Sequence, residues 1–345
     1  MYKFLRPLLF QLYPETAQQL TLQALRLAGH VPPASWLLTQ FFKAPAKPVQ
    51  AFGLTFKNPV GLAAGYDKNA VAIKGLAALG LGHMEVGTIT PRPQPGNPKP
   101  RVFRLIEDEA VINRLGFPSP GMSKVESRMS KLRGQRPMVI GINLGKNKDT
   151  PLEEAANDYT ELMRRFMFYA DYLTINISSP NTVGLRRLQG REMLEQLLGA
   201  IQKERESTLT HSPSPRGRGG FVPILVKIAP DLNDEELVDA VGVILDKGMD
   251  GIIATNTTLA RDGLRSRHQG ETGGLSGSPL RGRSEAVLSR VVKLVDGKVP
   301  IVSVGGILNP DDAKKRLALG ASLVQVYTGM IYRGPQLIRQ IVKSL

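Results

Sequence analysis

Three observations predict the fold. Strand-like and helix-like segments alternate from Asn58 to the end of the chain, and eight short apolar strands can be counted. The chemically distinctive residues fall at the C-terminal ends of those strands: Lys68, Thr88, Asn143, Asn176, Ser179, Lys227, Asn256 and Gly306. Residues 1–50, ahead of the alternation, differ in character and carry leucine and aromatic stripes. Together these predict an α/β protein, a closed (β/α)8 TIM barrel over 51–345 with a small N-terminal α-helical extension over 1–50, rather than an open doubly wound sheet.

The extension reads as short helices. Phe4, Leu5, Leu8, Leu9 and Leu12 recur at helical spacing, with Pro7 limiting the first turns. Ala17, Leu20, Ala24, Leu27 and Ala28 form a second stripe closed by Gly29, and residues 35–43 a third with Trp36, Leu37, Leu38, Phe41 and Phe42. Five basic residues (Lys3, Arg6, Arg26, Lys43, Lys47) face one acid, Glu15. Apolar faces with basic flanks suit an interfacial membrane helix pair, and equally a stripe docked on the main domain. The 45–48 region is the expected linker.

The barrel then runs in order. Strands are expected at 58–65, 83–90, 138–144, 172–177, 222–228, 251–255, 299–304 and 322–327. Helices are expected at 70–79, 119–132, 151–168, 191–205, 234–245, 284–294, 310–319 and 336–345. A proline-rich loop (91–100) and an inserted hairpin (101–115) interrupt the pattern. Residues 206–220, polar and basic, read as a mobile surface connection, and 270–277 as a glycine-rich loop.

Composition narrows the chemistry. The 345 residues are 42% hydrophobic and 22% charged, enough for a large core. The formal net charge of +15 favours anionic partners without choosing among nucleic acid, acidic lipid and anionic substrate. The absence of cysteine excludes disulfides, thiolate metal sites and cysteine nucleophiles. Four scattered histidines give no metal-ligand spacing, so no metal is expected. Acid–base work falls to Ser, Lys, Asp, Glu or Tyr. No apolar run approaches the ~20 residues of a membrane span, and the prolines and glutamine among the first 14 residues argue against a secretory signal.

The stretch Tyr172 to Thr182 (Y-L-T-I-N-I-S-S-P-N-T) is the centre of the chain's chemistry. Two amides, Asn176 and Asn181, bracket the hydroxyl of Ser179 at a strand tip. Amides offer donors and an acceptor to a small planar ligand with carbonyls and ring N–H groups. Ser179 can take a proton only if activated or desolvated, and Ser-Ser-Pro-Asn is also ordinary turn chemistry. The convergence of polar groups at the other strand ends favours the first reading. S-V-G-G-I (303–307) and V-Y-T-G (326–329) each end in glycine, where backbone N–H groups can approach a phosphate. The loops after the last two strands are the usual phosphate position in this fold. Lys227, in K-I-A-P, could stabilise negative charge on a bound ring, and Lys68 could bind a carboxylate or phosphate. Asn113 could join Asn176, Asn181 and Asn256 in one amide-rich pocket.

The combination A-A-G-Y-D-K-N, V-G-T-I-T-P-R-P-Q-P-G-N-P, N-R-L-G-F, G-I-N-L-G-K-N, N-I-S-S-P-N-T, K-I-A-P-D, T-N-T-T, G-G-L-S-G, V-G-G-I and V-Y-T-G resembles the class 2 (quinone-dependent) dihydroorotate dehydrogenase family over essentially the whole chain. The resemblance implies an FMN barrel, one FMN per chain, that oxidises dihydroorotate to orotate in pyrimidine synthesis and passes electrons to a membrane quinone. It implies Ser179 as catalytic base, supported and shielded by Thr182 and Phe117. FMN contacts would come from Ala64, Gly65, Tyr66, Asp67, Lys68, Thr88, Asn143, Asn176, Lys227, Thr255, Gly277, Gly306, Tyr327 and Thr328. The substrate grip would come from Lys68, Asn113, Arg114, Leu115, Gly116, Phe117, Asn176, Asn181, Asn256 and Thr257. Residues 1–50 would admit quinone and rest on lipid. The implied setting is a monomeric peripheral membrane protein on the cytoplasmic face of a bacterial inner membrane, with no nucleic-acid partner. The 206–220 loop is longer and more basic than the resemblance leads one to expect. Two rivals stand beside this. An FMN barrel acting on tRNA, like the dihydrouridine synthases, fits the charge but lacks its cysteine acid. A non-catalytic lipid-docking barrel leaves Ser179 and the placed amides unexplained.

Overall fold

The computed structural model describes residues 2–132, 136–211 and 222–345. Three helices open the chain: α1 (Tyr2–Gln11), α2 (Pro14–His30) and α3 (Pro32–Phe42). Pro14 and Pro32 stand in the first turns of α2 and α3, where a missing N–H costs nothing. A small antiparallel hairpin follows, β1 (Val49–Ala51) and β2 (Leu54–Phe56). Sequence reading missed it, because each strand is only three residues long.

Eight parallel strands close the barrel: β3 (Val60–Leu62), β4 (His83–Ile89), β7 (Val139–Leu144), β8 (Tyr172–Asn176), β9 (Ile224–Ile228), β10 (Gly251–Ala254), β12 (Ile301–Val304) and β13 (Leu323–Val326). The expected (β/α)8 barrel is therefore the observed fold. Around it lie α4 (Ile73–Ala77), α5 (Met122–Ser130), α6 (Ala155–Phe166), α7 (Arg191–His211), α8 (Asp234–Asp246), α9 (Arg281–Val295), α10 (Pro310–Ala318), α11 (Thr328–Arg333) and α12 (Gln336–Ser344). The helix expected from 151 starts only at Ala155, leaving Glu153 and Glu154 outside it. α7 continues through residues read as loop, to His211; residues 212–221 lie outside the described residues. The inserted hairpin is β5 (Val102–Leu105) and β6 (Ala110–Asn113), and β11 (Gly274–Gly277) pairs with β6 as a third strand. That segment was read as a glycine-rich loop; Gly-Leu-Ser-Gly carries no strand pattern of its own, and its partner lies far back in the chain.

Alternation along the strands sorts the core. Leu62, Val86, Ile142, Ile175, Val226 and Val324 point outward into the layer under the helices. Tyr172, Leu225, Ile253, Val302 and Leu323 point inward and meet Leu54 and Phe56 of the hairpin, which plugs the barrel floor. Gly61 and Gly141 make room there: a Cβ on Gly61 would lie 2.1 Å from the His83 ring, and one on Gly141 2.2 Å from the Tyr172 ring. The same alternation carries Glu85, Asn143, Asn176, Lys227 and Gln325 inward, toward the C-terminal mouth.

The N-terminal helices dock one face on the barrel and leave another bare. Tyr2 Oη donates to the Ile331 carbonyl (2.5 Å), and Arg104 donates to the carbonyls of Phe10 (3.1 Å) and Leu12 (2.8 Å). Phe4 (82% exposed), Leu27 (67%) and Trp36 (61%) face outward. The docking reading of the stripes therefore holds for one face, and the other face is left exposed. Among the described residues no helix is long and apolar enough to cross a membrane.

Candidate active site

A cleft opens at the C-terminal mouth of the barrel. Its wall brings together Ala64, Gly65, Lys68, Thr88, Asn113, Leu115, Gly116, Phe117, Asn176, Ser179, Asn181, Lys227, Thr255, Asn256, Thr257, Gly277, Gly306, Tyr327 and Thr328. Four expected residues do not line it. Asn143 is wholly buried one layer behind. Asp67 is also buried and accepts from the backbone N–H groups of Asn69 (3.3 Å), Val71 (3.0 Å) and Ala72 (2.8 Å), so it shapes the loop after β3. Burial raises its carboxyl, against the pull of those three donors. Arg114 turns away to Glu271 (2.6 Å) and stacks over Phe103. Tyr66 faces a second cavity.

Amides form two hydrogen-bonded groups in the site, Asn143–Asn176–Asn256 and Asn181–Asn113. The Asn143 carbonyl oxygen accepts from Thr88 Oγ1 (2.6 Å) and Asn176 Nδ2 (3.0 Å). Asn176 Oδ1 accepts from Ser178 Oγ (3.2 Å) and Asn256 Nδ2 (3.3 Å). Asn181 Nδ2 donates to Asn113 Oδ1 (3.0 Å), while Asn181 Oδ1, buried, is left without a partner. Asn181 lines the cleft, and a buried oxygen left without a partner calls for an explanation, of which a ligand donor is one. Ser179 is 5% exposed, and its Oγ accepts from the Asn181 N–H at 3.3 Å. The turn-chemistry reading is thereby partly met, since the serine does cap its own turn.

Sequence reading missed Glu85. Its carboxylate sits at the barrel centre and accepts from Gln325 Nε2 (2.7 Å), Asn143 Nδ2 (3.0 Å) and Tyr172 Oη (3.4 Å). The available signal was an acid inside the apolar strand H-M-E-V-G. Burial lowers the Lys227 ammonium, and Glu85 opposes that shift as its nearby counter-charge. Lys68 is half-buried and donates to the Gly65 carbonyl at 2.8 Å; burial pushes its ammonium down to about 8. On the far side, Gly305 (φ +119°) and Gly306 (φ +73°) turn through conformations that favour glycine, and a Cβ on Gly306 would lie 2.4 Å from the Arg281 backbone. Ser276 Oγ and Thr328 Oγ1 share a hydrogen bond (2.8 Å) beside them.

The second cavity lies between α1, α2, α3 and the barrel. Its lining is mostly apolar: Leu5, Leu9, Phe10, Leu25, Leu38 and Met330 are among it. Asn113, Leu115 and Tyr327 line both cavities and so form a shared wall.

A closed barrel with a polar, amide-lined mouth, an inward lysine and a glycine cradle defines a (β/α)8 protein with a small-molecule site at the C-terminal ends of its strands. The dihydroorotate dehydrogenase family profile matches residues 48–345. Dihydroorotate dehydrogenase (quinone) of Pseudomonas fluorescens is 48% identical over 348 residues, covering 100% of this chain and 99% of that one. The enzyme of the same name from Acidithiobacillus ferrooxidans is 49% identical, covering 100% and 94%. The crystal structure of the Eimeria tenella dihydroorotate dehydrogenase with ferulenol superposes with a TM-score of 0.82 at 46% identity, over 91% of this chain and 89% of that one. The chain belongs to the dihydroorotate dehydrogenase family, in its quinone-dependent class, and is an oxidoreductase.

Proposed function

We propose that the chain oxidises (S)-dihydroorotate to orotate in de novo pyrimidine biosynthesis, using one FMN and passing the electrons to a membrane quinone. The observation that carries this reading is the shared wall: a polar cleft and an apolar cavity meet at Asn113, Leu115 and Tyr327. One pocket suits a small polar ring, the other a greasy one, and an electron carrier between them would serve both.

The residues present fit FMN. The left-handed Gly305–Gly306 turn and Thr328 suit its phosphate, and Ala64, Gly65, Thr255, Gly277 and Tyr327 its body. Thr88, Asn176 and Lys227 suit the polar edge of its ring, with Asn143 holding two of them from behind. When bound, FMN would supply the hydride acceptor. Ser179 Oγ would take the proton from the ring carbon beside the amide carbonyl as hydride leaves the neighbouring carbon. Asn113, Asn176, Asn181, Asn256 and Thr257 would hold the ring's carbonyl and N–H groups. Lys68 would meet the carboxylate. Phe117 and Thr182, both buried, would keep water from the serine.

In this reading residues 1–50 are the quinone-access segment and 51–345 the catalytic barrel, with β1 joining the barrel side through its hairpin. The protein is a monomer, peripheral on the cytoplasmic face of a bacterial inner membrane, and the bare faces of α1 to α3 support that placement. The test is to narrow the second cavity. Ala24→Trp with Ala28→Trp should abolish most quinone-dependent turnover and leave anaerobic flavin reduction by dihydroorotate intact. Equal loss of both would contradict the two-pocket reading.

A further inference from the structure

A strongly basic groove lies outside both cavities. It runs where the last turn of α2 meets α4 and α5, and Arg26, His30, Lys74, Arg128 and Lys131 line it; among the described residues no carboxylate does. Arg128 donates to the Asn69 carbonyl at 2.9 Å, and His30 Nδ1 lies 2.8 Å from the Arg26 carbonyl. Several surface arginines elsewhere are paired with acids, as in Arg92–Asp149, Arg164–Glu204 and Arg191–Asp239. Arg128 has a buried counter-charge in Asp67; the other like charges gathered here raise a local field that an anion relieves.

The surroundings say which anion. Leu27 (67% exposed), Val31 (49%) and Trp36 (61%) stand bare around the same end of α2. Glu15, the one acid among residues 1–50, is turned inward onto Arg101. The described outer surface of the helices therefore offers apolar, neutral polar and cationic groups beside the groove, and no acid. A ligand that matches both has an anionic head and an apolar body, and tryptophan favours the interface between such regions.

We infer that this groove seats the phosphate of an anionic phospholipid and fixes how the helical segment sits on the membrane. The inference deepens the membrane reading proposed above and rests on it.

The test is vesicle flotation of the flavin-loaded enzyme. One vesicle set is phosphatidylcholine alone, the other phosphatidylcholine with phosphatidylglycerol. The wild type should bind both and bind the anionic set more tightly. Arg26→Gln, Lys74→Gln, Lys131→Gln together should lose about a hundredfold of the anionic-vesicle affinity, about fivefold per cation. Binding to neutral vesicles should be kept. Lys293→Gln, Lys298→Gln, Lys314→Gln, with the same charge change on α9, its following turn and α10, should lose little. Bleaching of the flavin by dihydroorotate with unchanged amplitude checks the fold, and Lys131→Glu alone, at an exposed position, repeats the test if the triple variant is unstable. Equal losses in the two triple variants would overturn the groove in favour of diffuse charge. A wild type indifferent to phosphatidylglycerol would overturn it while leaving the membrane reading intact. A wild type that binds neither vesicle would overturn both.

Discussion

Glu15 and Arg101 meet through two hydrogen bonds, Nη2 to Oε1 at 2.6 Å and Nε to Oε2 at 3.1 Å, with side chains 9% and 8% exposed. Glu15 belongs to α2 and Arg101 to the loop before β5. Arg101 Nη1 also donates to the carbonyls of Pro95 (2.7 Å) and Asn97 (2.9 Å), so the pair ties the helical segment to the loop over the cleft. One turn on, Gln18 Nε2 donates to the carbonyls of Gly65 (3.2 Å) and Tyr66 (2.7 Å), and Gly65 is the acceptor that Lys68 also uses.

Breaking a buried pair strands a charge. Glu15→Ala should destabilise the protein by about 3 kcal/mol. Adding Arg101→Met should recover part of that loss. Denaturant unfolding of the two single variants and the double completes the cycle; strictly additive effects would mean that the pair is not coupled.

Removing residues 2–45 should abolish quinone reduction and vesicle binding, while dihydroorotate still bleaches the flavin. Because Gln18 braces the loop that carries Lys68, the truncated enzyme should also need more dihydroorotate to half-saturate. Full quinone activity in the truncated enzyme would refute the access role of the helices.

Lys68 titrates within reach. Its ammonium, lowered by burial to about 8, is charged below that pH and neutral above it. Its attraction for a carboxylate therefore fades as pH rises, and kcat/KM for dihydroorotate should fall above about pH 8, since that ratio reports the free enzyme. Lys68→Arg should move the falling limb out of range. An unchanged limb in that variant would assign it to another group.

His83 lies wholly buried on the barrel floor, its ring edge-on to Phe56 at 5.3 Å and both nitrogens without partners. Burial lowers it from 6.5 to about 3. Its folded pKa is below its unfolded one, so the unfolded chain binds the proton first, and stability falls as pH drops through the window from 6.5 to 3. The slope from this one group is about 1.4 kcal/mol per pH unit. His83→Leu should flatten the acid limb of Tm against pH; an identical limb would place the acid sensitivity elsewhere.

Much of this was legible in the sequence because strand period and strand-end chemistry are local properties. Lys227 and Asn176 stood out as polar residues in apolar strands, and both point into the mouth. What was not legible depends on long-range pairing or on side-chain direction. β11 becomes a strand only against β6. Arg114 shares the motif N-R-L-G-F with Asn113 and Phe117, yet Glu271 draws it outward. Asp67 spends its oxygens on its own loop. Glu85 was overlooked because its partners, Gln325, Asn143 and Tyr172, come from three other strands.

Ser179→Ala should keep the flavin and lose about 10²- to 10⁴-fold in the rate of its reduction by dihydroorotate near neutral pH, the usual worth of a positioned base. Stopped-flow absorbance at saturating substrate measures it directly. An unchanged rate would remove Ser179 from the base role and leave its turn-capping bond to Asn181 as its whole function.

The most direct test of the whole account is the visible spectrum of the purified protein, taken before and after anaerobic dihydroorotate and again after a soluble quinone. We expect a bound flavin that bleaches with the first addition and recovers with the second. A flavin that ignores dihydroorotate, or a colourless protein that cannot be reconstituted with FMN, would contradict it.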